Sequence, residues 1–268
     1  MRDISETAIV SVTEMMDLYA DGLRASILFA QMQSGKTNAF LLLAGEMLRT
    51  GRVENVVIFT GNRETELREQ LKTQVKGNVS ERSFFDTKYF NYIEKNTDTF
   101  DGLSLSDAFH LASEIAQNIK NKITIIWGTE LTKKASQIST ENTLFIFEES
   151  HFAQSLGQTP GKFLTSIGVP ANGDQAILKE RNNYICSVSA TPFSELCDAG
   201  NFRQSKKVVR MQPGNDYRGV KWLRDNGKLV GYANWERELA NALQTKKNEE
   251  KWIYGDLQLS TDHRKLFI

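Results

Sequence analysis

The stretch SILFAQMQSGKTNAF, residues 26–40, decides the fold of this chain. Its first four residues are apolar and predict a short buried β-strand. From Thr37 onward the pattern predicts a helix that continues to residue 50 and places Phe40, Leu41 and Ala44 on one apolar face. A buried strand that leads through a short loop into a helix is the basic unit of a parallel α/β sheet.

Further strands and helices alternate along the chain in the same way. Most of the predicted strands are apolar throughout rather than alternating with polar residues, as expected of parallel strands that are covered on both faces. We therefore predict an α/β fold with a mostly parallel sheet flanked by helices, and loops or insertions at 78–103 and 154–175. The other predicted strands are 56–60, 123–127, 144–147 and 184–189, and the other predicted helices are 63–76, 105–120 and 129–138.

The pattern thins beyond residue 200, so we predict one domain over 1–200. Residues 201–268 are expected to form a C-terminal extension, or the start of an incomplete second lobe, because they are too few for a second full α/β domain. Within them KKVVRM, 206–211, could add one strand and WERELANAL, 235–243, one helix.

Composition restricts the partners and the compartment. The 33 basic and 33 acidic residues balance, so any contact with nucleic acid must come from a local patch. Only two cysteines occur, Cys186 and Cys197, which argues against a disulfide framework and against a structural zinc site. No apolar run approaches the ~20 residues of a membrane span. We expect a soluble, intracellular protein located in the cytoplasm.

The loop AQMQSGKT, 30–37, has the parts of a phosphate-binding loop. Gly35 permits close backbone approach, Lys36 would pair with the outer phosphates of a nucleotide, and Thr37 would coordinate Mg²⁺. The usual pattern is G-x-x-x-x-G-K-[ST], and Ala30 replaces its first glycine. A chance Gly-Lys-Thr at a helix start is the alternative. The preceding strand and the following helix favour the phosphate loop.

Two carboxylates follow the strand LFIF, 144–147. An ATPase needs one carboxylate to hold Mg²⁺ and another to activate water, and Glu148 and Glu149 would take these roles in that order. Adjacent glutamates are also common on solvated surfaces. Charges at the end of a buried strand are harder to explain, because they cost desolvation energy unless a cation lies nearby. His151 follows two residues after Glu149. The predicted strand at 184–189 ends at Ser189, and Thr191 offers a second hydroxyl two residues beyond it.

These elements, taken in order, resemble motifs I, II and III of superfamily II helicases and translocases of the DEAD/DEAH-box class. The matching residues are AQMQSGKT at 30–37, EESH at 148–151 and SAT at 189–191. The stretch 56–70 resembles their motif Ia, and WGTEL at 127–131 resembles a later motif that contacts nucleic acid. The combination is particularly similar to the Z-one domain, and it covers about residues 25–195.

The resemblance implies a RecA-like P-loop NTPase that uses ATP and Mg²⁺ to move on nucleic acid, with DNA favoured over RNA. It implies that Glu148 and Thr37 bind the metal, and that Glu149 and Lys36 are catalytic. The remaining roles are assigned by motif. Nucleotide binding falls to Gln33, Ser34, Gly35, Lys36 and Thr37; coupling of hydrolysis to motion to His151, Ser189 and Thr191; and nucleic-acid binding to Gly61, Asn62 and Arg63.

Two departures from the family pattern lower the hydrolysis rate that we expect. Glu148 replaces the usual aspartate, which changes the metal geometry. The family's second RecA-like lobe supplies an arginine finger worth ~10³ to 10⁵ in rate, and no such motif is found here. We expect slow hydrolysis unless a second lobe or a partner subunit completes the site. A viral DNA-packaging terminase motor, or a degenerate nucleotide-binding regulatory or scaffold domain without turnover, are the alternatives.

Overall fold

The computed structural model divides the chain into two compact units, residues 1–216 and 217–268. The first contains a six-stranded sheet, and the described residues of the second form short elements. The residues that the structure describes are 3–31, 34–60, 65–128, 130, 133–134, 138–148, 164, 167–170, 173–190, 206–214, 217, 220–226, 258–259 and 266–267.

Strands and helices alternate through the first unit, as the sequence predicts. The helices are α1 (Glu6–Ala20), α2 (Lys36–Arg49), α3 (Thr65–Lys76), α4 (Lys88–Asn96), α5 (Leu105–Lys122) and α6 (Gln175–Glu180). The strands are β1 (Ala25–Ala30), β2 (Asn55–Thr60), β3 (Ile123–Trp127), β4 (Thr143–Glu148), β5 (Tyr184–Ser189) and β6 (Lys207–Met211). The second unit holds α7 (Val220–Asp225), β7 (Gln258–Leu259) and β8 (Leu266–Phe267).

The sheet has the strand order β3-β2-β4-β5-β1-β6, and every pair in it is parallel. The predicted fold class, an α/β fold with a parallel sheet flanked by helices, is confirmed. The five predicted strands are confirmed to within one residue at either end. β6 lies beside β1 in the sheet, although we placed these residues in the C-terminal extension. The functional division of the chain near residue 200 stays a prediction.

Two hydrophobic clusters cover the two faces of the sheet. The larger cluster, which we call the α2 face, joins α1, α2, α4 and α5 to alternate strand residues such as Leu28 and Ile146. The smaller cluster, which we call the α6 face, joins Leu178 of α6 to the intervening strand residues, such as Phe145. Burial on both faces explains why these strands are continuous apolar runs without alternation.

Several helices differ from the sequence prediction. Helix α4 lies within 78–103, which we predicted to be loop or insertion, so that prediction was wrong there. Helix α4 is only nine residues long, which is shorter than the window of about 11–18 residues over which a helical period is read, and it buries just Tyr89 and Ile93. Helix α1 was not predicted at all. Within the predicted helix 129–138, the described residues form one turn in which Lys134 N donates to Glu130 O.

Candidate functional site

The described ends of β1, β2, β4 and β5, which lead into the predicted motifs, lie at one edge of the sheet because all six strands run parallel. Phe29 of β1 pairs with Ser189 of β5, and Val188 pairs with Glu148 of β4. Glu148 pairs in turn with Thr60 of β2. The strand β1 leads into α2 on one face, whereas the neighbouring β4 and β5 are joined through α6 on the other. Open α/β sheets bind ligands at the point where the connections of neighbouring strands run to opposite faces of the sheet.

The loop after β1 turns sharply into α2. Ser34 donates to the carbonyl of Gln31 through both its backbone N, at 3.2 Å, and its Oγ, at 2.6 Å. Gly35 is the N-cap of α2, with φ 88° and ψ 22°. A Cβ atom there would meet Met211 only at 3.8 Å, so space is not the constraint. The constraint is the left-handed backbone conformation, because residues other than glycine rarely adopt it.

Lys36 and Thr37 are the first two residues of α2, and both are partly buried. The backbone N–H groups at a helix start have no partner within the helix, and the helix dipole makes this end positive. No acidic residue occupies the first turn of α2. The helix therefore presents a lysine, a hydroxyl and backbone N–H groups at one point, which is the arrangement that binds a phosphate.

Glu148 lies two strands away from β1 and on the same face of the sheet as α2. Ile146 and Leu144 belong to the α2 face, and side chains alternate along a strand, so Glu148 projects toward that face too. Neighbouring strands are about 4.8 Å apart, which puts Glu148 roughly 10 Å from β1 in the plane of the sheet. That spacing leaves room for a phosphate group and a cation between the carboxylate and the start of α2.

Ser189 projects toward the opposite face. It is completely buried, and it alternates with Val188, which belongs to the α2 face. β5 thus separates β1 from β4 at this edge but directs the Ser189 side chain toward the α6 face. Its coupling role stays a prediction.

Several predicted site residues lie outside the described part of the chain. They are Gln33 of the nucleotide-binding group; Glu149, His151 and Thr191 of the catalytic and coupling groups; and Gly61, Asn62 and Arg63 of the nucleic-acid group. Their roles stay predictions.

The structure adds an aromatic and a basic residue at the far end of the same edge. The guanidinium of Arg68 on α3 lies 5.3 Å from the ring centre of Trp127, the last residue of β3. This is within the range of a cation–π contact. Trp127 packs against the α2 face, toward which Glu148 also projects. Arg68 lies in the stretch 56–70 and Trp127 in the stretch 127–131, both of which resemble motifs named in the sequence analysis. Only the structure shows that the two side chains are in contact.

The predicted metal ligands Thr37 and Glu148 offer oxygen donors on one face of the sheet. Mg²⁺ usually takes one or two protein oxygens and fills its other positions with waters and substrate phosphates. Among the described residues no three His, Cys, Asp or Glu side chains converge to form a metal site of their own. The residues present therefore fit a magnesium ion that arrives with a phosphorylated substrate.

No protein-family model matches the sequence, and no curated protein matches it significantly. Among solved structures, one described as the ATPase domain of another protein is 14% identical, with a TM-score of 0.34. The match covers 76% of this chain and 81% of that chain. A TM-score of this size is too low to establish a common fold, so the fold class rests on the strand order and registers above. Within the described residues, no helix has the length and apolar character needed to cross a bilayer.

Proposed function

We propose that this chain is the ATP-binding and ATP-hydrolysing core of a superfamily II-type helicase or DNA translocase. The observation that carries the proposal is the placement of α2 and Glu148. The helix that begins at Lys36 and the carboxylate that ends β4 lie on one face and at one edge of the sheet, separated by a single strand.

ATP would bind with its phosphates at the start of α2. The loop at 34–35 and the first N–H groups of α2 would surround the β-phosphate, and the ammonium of Lys36 would reach the β- and γ-phosphates. Thr37 and Glu148 would hold Mg²⁺, which when bound neutralises charge on the transferred phosphoryl group. Glu149, one residue further, would orient the attacking water.

Nucleic acid would lie along the β2 and β3 end of the same edge. Trp127 would offer its aromatic ring to a base that displaces Arg68 from it, and Arg68 would then offer a cation for the backbone. Because the net charge of the whole chain is zero, binding depends on such local groups rather than on a general field. DNA is favoured over RNA only through the resemblance to helicases and translocases.

Turnover of the isolated chain should be slow. An arginine finger supplied by a second lobe or a partner subunit would stabilise the transition state. The first test is therefore ATP hydrolysis measured alone, with single-stranded DNA and with double-stranded DNA. Stimulation by DNA supports the motor. Nucleotide binding without turnover under all three conditions would instead indicate a regulatory or scaffold domain.

Two matched variants test whether Glu149 activates the attacking water. Glu149→Gln should retain ATP binding and lose hydrolysis, because the amide cannot accept a proton from water. Glu69→Gln is the control, since Glu69 is an exposed residue of α3 that pairs with the neighbouring Lys72, at 3.6 Å. Equal losses in the two variants would contradict the assignment of Glu149.

A further inference from the structure

We propose that Lys88, the first residue of α4, is a second cation of the nucleotide site and binds the phosphate chain of the bound nucleotide. This inference rests on the proposed function. It adds a residue from a segment that the sequence motifs do not include, and it gives α4 a role in ligand binding.

The position of the Lys88 ammonium carries the inference. Its Nζ lies 3.4 Å from Oδ1 of Asn38, which is the third residue of α2 and lies two residues after Lys36. A helix rises 1.5 Å per residue, so Asn38 lies only about 3 Å along the axis from Lys36. Side chains in a helix also tilt toward its N-terminus. Residues two apart are also about 200° apart around the helix axis, so the two lysines approach this end of α2 from opposite sides.

Helix α4 is anchored to α2, which fixes where Lys88 starts. The next residue, Tyr89, is fully buried and packs so closely on α2 that a Cβ atom at Gly45 would lie 2.6 Å from its ring. Its hydroxyl donates to Oε1 of Glu46 at 2.8 Å. Burial and the Glu46 carboxylate raise the pKa of Tyr89, so this donor keeps its proton. From this anchor the Lys88 side chain reaches back along α2 toward the phosphate end.

Two carboxylates on the segments next to Lys88 bind other side chains. Asp86 accepts from Nζ of Lys120 at 2.8 and 2.9 Å and from Oγ of Ser83 at 2.8 Å. Glu46 accepts from the guanidinium of Arg49 at 2.9 and 2.8 Å, besides Tyr89. Among the residues that the structure describes, Lys88 forms no ion pair, and its bonded partner is the neutral amide of Asn38.

Lys88 is partly buried and lies near other positive charge. The start of α2 already carries the positive end of the helix dipole and Lys36, so Lys88 adds a like charge there. A triphosphate would reverse the sign of these interactions. Lysine suits the task because its flexible stem lets the ammonium exchange the Asn38 oxygen for a phosphate oxygen.

The test measures nucleotide affinity of the full chain by titration with a fluorescent ATP analogue, and then by competition with unlabelled ATP and with inorganic tripolyphosphate. Lys88→Ala should weaken both competitors by about tenfold, as expected for the loss of one charge-assisted hydrogen bond. Lys88→Arg should recover most of the affinity. Lys95→Ala is the matched control on the same helix, because Lys95 is exposed and pairs with Asp3 at 2.8 Å.

The competitors separate a phosphate contact from any other role of Lys88. Equal weakening of ATP and tripolyphosphate supports the proposal, because tripolyphosphate has no base or ribose. Weakening of ATP alone would overturn it, and so would an unchanged affinity for both or a loss that Lys95→Ala reproduces. A loss of DNA binding with unchanged nucleotide affinity would assign Lys88 to nucleic acid and would also overturn it.

Failure of this inference can be distinguished from failure of the proposed function. If the wild-type chain binds ATP and Lys36→Ala does not, the phosphate loop stands whatever Lys88→Ala shows. If the wild-type chain binds neither ATP nor tripolyphosphate, the proposed function fails and the role of Lys88 fails with it.

Discussion

The two ends of the sheet carry polar residues of different kinds. At the end where the strands begin, Asn183 accepts from the backbone N of Thr143 at 3.1 Å and donates to the carbonyl of Thr140 at 2.7 Å. Asn182 accepts from Arg24 at 2.8 Å and donates to Asn142 at 3.0 Å. Asparagine side chains here bond to one another, to the guanidinium of Arg24 and to backbone groups, which joins the loops that precede β1, β4 and β5.

The end where the strands finish is built differently. Lysines from α2 and α4 and a carboxylate from β4 come to one face, and the helix at this point begins with a glycine in a left-handed conformation. The comparison teaches that one end of the sheet stabilises the fold, whereas the other assembles charge from separate elements. Variants at the first end should change stability, and variants at the second should change ligand chemistry.

The largest effect is expected from Glu148→Gln. Removal of the metal-side carboxylate should lower ATP turnover roughly a hundredfold, because metal-assisted stabilisation of transition-state charge is worth several kcal/mol. The Mg²⁺ concentration needed for half-maximal turnover should rise as well. The melting temperature should change less than in any variant of the opposite end. Unchanged turnover at every Mg²⁺ concentration would remove Glu148 from the site.

At the opposite end, Asn183→Ala should destabilise the fold by about 2 kcal/mol. The change leaves the buried N–H of Thr143 and the carbonyl of Thr140 without their bonds, and such groups cost about 1–3 kcal/mol when unsatisfied. Urea unfolding measures this loss. Nucleotide affinity under folding conditions should equal that of the wild type, and a large fall in affinity would contradict the division between the two ends.

A smaller effect is expected from Trp127→Ala, which removes the aromatic ring beside Arg68. Affinity for single-stranded DNA should fall at least about fivefold, since stacking on one base contributes about 1–3 kcal/mol. Nucleotide affinity without DNA should remain unchanged, because Trp127 lies on the outer strand β3. Fluorescence anisotropy of a labelled oligonucleotide makes the measurement. Equal DNA binding by the two proteins would place nucleic acid elsewhere.

The smallest effect concerns Asp86, which joins the start of α4 to α5. Burial raises its pKa, but the hydrogen bonds from Lys120 and Ser83 outweigh burial, and the net shift is downward. A lowered folded-state pKa means that the ionised form stabilises the fold above the unfolded-state value of about 3.9, and that this contribution is lost as pH falls below it. Asp86→Asn should therefore reduce the fall in melting temperature between pH 5 and pH 3, measured by thermal unfolding. An acid dependence equal to that of the wild type would contradict the role of this carboxylate.

The sheet could be predicted from sequence because buried parallel strands are continuous apolar runs. β1, β2 and β4 have this form most clearly, and all five predicted strands are present in the structure. The order of the strands could not be predicted, because adjacency of β4 and β5 depends on contacts between residues 40 apart, such as those of Asn183 with Thr143. The positions of Gly35 and Lys36 followed from the local pattern of strand, loop and helix alone.

Long-range contacts explain what the sequence did not reveal about the candidate site. Lys88 and Asn38 are 50 residues apart, and nothing near Lys88 resembles a motif. Helix α4 depends on Tyr89 packing against Gly45, which is a tertiary contact rather than a helical pattern. Side chains alternate along β4 and β5, and this alternation shows that Glu148 and Ser189 project toward opposite faces. Which helices cover each face had to be known before the faces could be assigned.

The central claim is that the start of α2 holds the phosphates of a nucleotide. Isothermal titration of the wild-type chain and of Lys36→Ala with ATP in the presence of Mg²⁺ tests it most directly. We expect measurable binding by the wild type, a loss of at least a hundredfold in the variant, and equal melting temperatures for the two proteins. Equal ATP affinity in the two proteins would contradict the claim.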